Sequence, residues 1–79
     1  MNKTEIPLSE LPLGKICMVK KLNTQGLIRR RMLDLGLIKD TVIESLQKSP
    51  SGDPVAYLIR GAVIALRSDV ASTIMVEAI

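Results

Sequence analysis

The chain has 79 residues, a net charge of +3, one cysteine and no histidine. A chain of this length is expected to form one small domain, 1–79, and a single cysteine excludes an internal disulfide and fits a reducing compartment. Without histidine, the sequence cannot build a Ser–His or Cys–His nucleophile, and it lacks the usual ligands of a transition-metal site.

Residues 1–14 are predicted to be an entry segment, because two prolines remove backbone donors and Ser9–Leu11 can form one helical turn. Lys15–Leu22 is the first predicted strand, since it carries apolar residues on both faces near its start. The lysines near its end indicate a strand that is buried at one end and solvated at the other.

A helix is predicted over Gln25–Leu35, with Asn23 or Thr24 as its N-cap. One face repeats apolar residues at helical spacing and is expected to dock on the sheet: Leu27, Ile28, Met32 and Leu35. Arginines occupy the opposite face, and Leu33 breaks the pattern by falling among them.

The end of this helix is predicted from a local signal. Gly36 stands where a left-handed residue ends a helix, and Leu37 is expected to fold back onto Met32 as the apolar contact of a Schellman motif. A turn at Lys39–Asp40 then leads into the next strand.

The rest of the chain alternates short β-prone stretches with turn residues. Strands are predicted over Thr41–Leu46, Val55–Arg60, Val63–Arg67 and Thr73–Ala78, with a loop at Gln47–Pro54 and a helical turn at Ser68–Ser72. This order predicts a mainly β fold, a small SH3-like five-stranded barrel with one α-helix inserted between strands 1 and 2. An OB-type barrel is the nearest competitor, although it usually places its helix later.

Positive charge is concentrated in one region of the sequence. Residues 20–39 contain six basic residues and one acidic residue, whereas the remaining residues carry a net charge of −2. Three interpretations are open: a solvated helix face, a phosphate-binding stripe, and a contact with an acidic protein or an anionic membrane face. With Tyr57 as the only aromatic residue, stacking on nucleic-acid bases is disfavoured, and no nucleic-acid partner is expected.

Leu33 helps to separate these interpretations. An apolar residue between arginines is typical of a small protein interface, because arginine is enriched at protein contacts. Leu33 could equally pack on the N-terminal segment, and both readings stay open at this point. The candidate partner-binding residues are Arg29, Arg30, Leu33 and Lys39.

Several stretches together resemble the FeoA family, the ferrous iron transport proteins A. Their order and spacing cover nearly the whole chain: Leu8-Ser-Glu-Leu-Pro-Leu-Gly, Arg31-Met-Leu-Asp-Leu-Gly-Leu-Ile-Lys-Asp-Thr-Val-Ile-Glu, Ser49-Pro-Ser-Gly-Asp-Pro-Val-Ala-Tyr and Ile59-Arg-Gly-Ala-Val-Ile-Ala-Leu-Arg-Ser-Asp-Val-Ala. The chain departs from the family at Lys39–Asp40, where many members have Pro-Gly. Since Asp tolerates turn conformations, the turn is expected to be kept.

The resemblance implies an SH3-like barrel in the cytoplasm that acts as a non-enzymatic accessory protein of bacterial ferrous iron uptake. The implied partner is the FeoB-type membrane transporter with its GTPase domain, whose assembly or activity the chain would modulate. The resemblance implies no catalytic residue. The alternative function is a nucleic-acid-binding or regulator-associated SH3-like module.

The residues themselves predict no cofactor and no metal site, and a weak site built from Asp and Glu oxygens is the alternative that stays open. Cys17 lies in an apolar strand and is expected to behave as a small hydrophobe. Apolar runs are too short to cross a bilayer, so no membrane insertion is expected. Self-association stays open, because so small a barrel could extend its core across a dimer.

Overall fold

The computed structural model describes residues 4–79, so the first three residues of the predicted entry segment, 1–14, lie outside it. Nine elements follow one another within these described residues: β1 (Glu5–Pro7), a 3-10 turn (Leu8–Glu10), β2 (Ile16–Leu22), α1 (Gly26–Asp34), β3 (Val42–Lys48), β4 (Val55–Ile59), β5 (Ala62–Leu66), α2 (Ser68–Ala71) and β6 (Ile74–Ala78).

The strands form one antiparallel sheet in the order β1-β6-β2-β3-β4-β5. The described strands β1 and β5 are its two edges and do not pair with each other, so the sheet is barrel-like without closing. The predicted mainly β fold, with one long helix between the first long strand and the next, is confirmed.

The sheet has one strand more than the five predicted. β1 has only three residues and pairs with β6, with Ile6 opposite Val76. A strand this short shows no periodicity, and its last residue, Pro7, cannot donate to a ladder. Its edge position allows it to hold a proline.

The core is built on the inner face of the sheet. Alternation in β2 buries Cys17 and Val19 and leaves Ile16 exposed, as period-2 geometry requires. Leu8 of the 3-10 turn and Leu11, the residue after that turn, also belong to the core. Buried side chains from the other strands complete it: Ile43, Tyr57, Ile59, Leu66, Ile74 and Val76.

The end of α1 forms the predicted Schellman motif. Gly36 has a φ of +92°, its N–H donates to the Leu33 carbonyl at 2.9 Å, and the Leu37 N–H donates to the Met32 carbonyl at 3.0 Å. Leu37 is fully buried, so the apolar contact of the motif also joins the helix to the core.

The start of α1 differs from the prediction. Its N-cap is Gln25, which makes no side-chain capping bond. The Thr24 hydroxyl is instead hydrogen-bonded to the Thr73 hydroxyl at 2.6 Å, between residues far apart in sequence. The side chain of Thr24, a predicted N-cap, is therefore used in a tertiary contact instead of capping the helix.

The docking face of α1 is narrower than predicted. Met32 is buried and Leu35 is half-buried, whereas Leu27 is 89% exposed and Ile28 is also exposed. The apolar attachment of the helix is therefore made mainly by its last turn and by Leu37, and the apolar side chains of its first turn are exposed to solvent.

Candidate partner-binding surface

The four candidate residues all lie on the outside of the molecule. Arg29, Arg30 and Leu33 are on α1, where Arg29 and Leu33 are one helical turn apart and share a face. Lys39 lies in the turn that follows, whose course is fixed by the burial of Leu37. We call these four residues the helix surface.

Arg29 has a structural contact in addition to its charge. Its Nη1 donates to the carbonyl oxygen of Leu22 at 2.7 Å and to that of Thr24 at 3.4 Å. These bonds join the first turn of α1 to the end of β2. Arg29 therefore both anchors the helix and contributes to the potential of the helix surface.

Arg30 and Lys39 have no ion pair within residues 4–79. The carboxylate next to Lys39 in sequence is Asp40, and it pairs with Lys20 at 3.3 Å instead. The Lys20–Asp40 pair therefore leaves the charge of Lys39 available to a partner. Unpaired surface cations of this kind interact readily with an acidic surface.

Leu33 is 39% exposed, so a substantial part of its side chain is open to solvent. Leu27, at 89%, and Ile38, at 51%, are also exposed, and the sequence had not included them among candidate contacts. The sequence does contain hints of this exposure. Leu27 precedes the part of the helix that is anchored, and Ile38 directly follows the buried Leu37. The helix surface is therefore accompanied by more apolar area than the sequence indicated.

The described residues bear on the expectation of no metal site. Within the described part of the chain, no three His, Cys, Asp or Glu side chains come together in a group that could hold a metal ion. Cys17 is fully buried in the core, so its thiol is not exposed at the surface as a ligand would be. No described helix is long and apolar enough to cross a membrane.

Burial raises the pKa of the Cys17 thiol from its ordinary value of 9.0 to about 11. The thiolate is the reactive form, and a rise of this size lowers its population at neutral pH by about 100-fold. We therefore expect iodoacetamide to label Cys17 at least about 100-fold more slowly in the folded protein than in the guanidinium-unfolded chain.

Mass spectrometry over time at neutral pH measures both labelling rates. The unfolded chain, which contains the same single cysteine, is the matched control. Labelling of the folded protein at a rate close to that of the unfolded chain would contradict the buried, neutral thiol.

A groove of about 650 Å³, lined by none of the four residues of the helix surface, lies on the outer side of the sheet. Met18 and Ala78 contribute apolar lining, and Lys20 and Glu77 contribute charge. Lys20 is paired with Glu77 at 3.7 Å as well as with Asp40. The charges in this groove are thus already paired with each other.

Comparison with known proteins identifies the family. The family model described as the FeoA domain matches residues 6–78, nearly the whole chain. This chain belongs to the FeoA domain family. The family is associated with ferrous iron transport, and its members are accessory transport proteins rather than known enzymes.

One curated relative joins FeoA to a transporter. The chain is 35% identical, over 72 residues, to the Fe(2+) transport protein A/Fe(2+) transporter FeoB fusion protein of Porphyromonas gingivalis. The match spans 91% of this chain and 8% of that much longer relative.

Solved structures agree with the fold. The FeoA-like protein from Clostridium acetobutylicum is 33% identical, with a TM-score of 0.88, and the match covers 100% of this chain and 91% of that one. The zinc complex of Stenotrophomonas maltophilia FeoA, described as a procaryotic SH3 domain protein, is 30% identical, with a TM-score of 0.79 and coverages of 87% and 86%. The SH3-like architecture predicted from the sequence is thereby confirmed.

Proposed function

We propose that this FeoA-domain chain is a non-enzymatic, cytoplasmic accessory protein of bacterial ferrous iron uptake. It docks on the cytoplasmic, GTPase-bearing part of an FeoB-type transporter and modulates that transporter's assembly or activity. The observation that carries this proposal is the relative in which FeoA and FeoB are fused in one chain.

The helix surface is the proposed contact, and the way α1 is attached supports it. The helix buries little of itself in its own domain, which leaves most of its circumference for another molecule. Arg30 and Lys39 supply charge, and Leu33 supplies an apolar contact next to them. Arginine beside exposed leucine suits a protein contact, because its guanidinium is weakly hydrated and tolerates burial.

The charge of the surface also defines the partner's chemistry. An acidic patch on the transporter's cytoplasmic domain complements the helix surface and steers the encounter. Because such steering is screened by salt, association should slow as ionic strength rises, while the apolar contact of Leu33 persists.

We expect Arg30→Glu/Lys39→Glu and Leu33→Glu each to weaken binding to the transporter's purified cytoplasmic domain at least about tenfold, the equivalent of 1.4 kcal/mol. The charge variant reverses a complementary potential, and the leucine variant buries a carboxylate without a partner. Arg29 is left intact, because its substitution would also release the carbonyl oxygens of Leu22 and Thr24. Isothermal titration calorimetry measures the affinities.

Matched controls make the same chemical changes elsewhere. Lys15→Glu/Lys48→Glu reverses two exposed charges away from α1, and Ile16→Glu places a carboxylate at a similarly exposed apolar residue on β2. Both controls are expected to bind like the wild type. Unchanged affinity of both helix-surface variants, with wild-type circular dichroism, would overturn the proposed contact.

A further inference from the structure

The outer edge of β5 lacks the features that usually protect an exposed strand. β5 ends the sheet and, within residues 4–79, pairs only with β4. Its sequence, Ala-Val-Ile-Ala-Leu, contains no charge and no proline, and Val63 is 65% exposed. Natural edges usually carry charges, prolines or bulges, since an unprotected edge pairs with other chains.

The opposite edge of the same sheet is protected. β1 has only three residues, begins with Glu5 and ends with Pro7. A short edge with a charge and a proline is poorly suited to accept another strand. Of the two described edge strands, only β5 is therefore suited to pairing with a strand of another chain.

The turn before β5 determines which of its backbone groups are free. Arg60 and Gly61 form a two-residue turn with φ values of 50° and 82°, which is typical of a type I′ hairpin. Such a turn is closed by a hydrogen-bonded pair, here Ile59 with Ala62.

Hydrogen-bonded and non-hydrogen-bonded pairs alternate from that point along the hairpin. The N–H and C=O groups of Val63 and Ala65 therefore point away from β4, toward the open edge. No hydrogen bond from the described loops or side chains reaches these groups. These backbone groups are therefore available to hydrogen-bond with a strand of another chain.

We propose that β5 pairs with β5 of a second copy of this chain, antiparallel and about a two-fold axis at Ile64. In this register Val63 of each copy lies opposite Ala65 of the other, so every outward-facing group of both residues finds a partner. Ile64, half-buried in one copy, lies opposite Ile64 of the other. Shifting the register by two residues in either direction leaves one of these two residues opposite a position outside the strand.

The chemistry of the edge fits a second copy of itself. Every cross-strand pair within the strand is apolar, so the two-fold arrangement brings no like charges together. A single strand edge is smaller than a standard interface of about 1,600 Å², so the dimer is weak and concentration-dependent. The edge contains none of the residues of the helix surface, and the dimer is independent of the proposed docking.

Sedimentation velocity over a wide range of protein concentration tests this dimer. We expect wild-type protein to dimerise as concentration rises and Val63→Lys to raise the dissociation constant at least about tenfold, because an edge lysine blocks strand addition. The matched control is Val42→Lys, which places the same charge at a residue that is 49% exposed on the central strand β3. It is expected to dimerise like the wild type.

Amide hydrogen exchange gives a readout that needs no variant. The N–H groups of Val63 and Ala65 should exchange rapidly in dilute protein and become protected as concentration rises. A monomer at every concentration, or a dimer that survives Val63→Lys, would overturn the proposal. Protection that appears only when the transporter's cytoplasmic domain is added would also overturn it, because the edge would then belong to that partner.

Discussion

Replacing Leu37 with alanine is expected to lower the free energy of unfolding by about 2–5 kcal/mol. The side chain is fully buried, belongs to the core and joins the end of α1 to the sheet. Its removal leaves a cavity and loosens the helix at its main point of attachment. The total stability of a chain this size is about 4–12 kcal/mol, so the variant loses a large part of it.

The adjacent residue provides a matched control. Ile38 is 51% exposed, and Ile38→Ala removes an aliphatic side chain of the same size. We expect a change of no more than about 0.5 kcal/mol, as is usual for surface substitutions. Urea unfolding followed by circular dichroism measures both values, and similar losses in the two variants would contradict the assigned burial.

Leu37 also illustrates what the sequence could predict. The Schellman motif depends on residues close together in the chain, so Gly36 and the leucine after it were enough to place the helix end. The bounds of β2, which was predicted from its run of apolar residues, were likewise placed within one residue of those observed. Local signals specify local structure.

The predictions that were wrong concern features that depend on contacts between residues far apart in the sequence. Thr24 forms its hydrogen bond with Thr73, and β1 exists because β6 lies beside it. Helical periodicity identified the apolar face of α1, but it could not predict how many turns of that face would be covered by the sheet. Leu27 is therefore exposed although it fits the repeat.

The candidate site shows the same division. The sequence placed Arg29, Arg30 and Leu33 on the polar face of the helix and Lys39 in the turn after it, and all four side chains are exposed in the structure. Whether Leu33 would be covered was left open. The sequence could not predict that Arg29 binds the end of β2, because that contact depends on how the helix leaves the strand. Nor could it predict the pairing of Lys20 with Asp40, which joins residues on different elements.

Gly36→Ala is expected to lower the free energy of unfolding by about 1–3 kcal/mol, mainly through backbone strain and in smaller part through a clash with a flexible side chain. A left-handed backbone strains any residue with a Cβ, at about 1–2 kcal/mol. The new Cβ would also overlap Cδ of Arg60, whose side chain lies over the helix end, and would lie 3.0 Å from its Nε.

Gly52 separates these effects, because it has the same φ of +92° with no atom within 4 Å of the added Cβ. Gly52→Ala is expected to show the backbone strain alone, about 1–2 kcal/mol. Adding Arg60→Ala should recover part of the loss in Gly36→Ala and none of the loss in Gly52→Ala, as a double-mutant cycle by urea unfolding would show. Equal losses at the two glycines, with no coupling to Arg60, would mean that the arginine side chain moves aside freely and that backbone conformation alone requires glycine at the end of the helix.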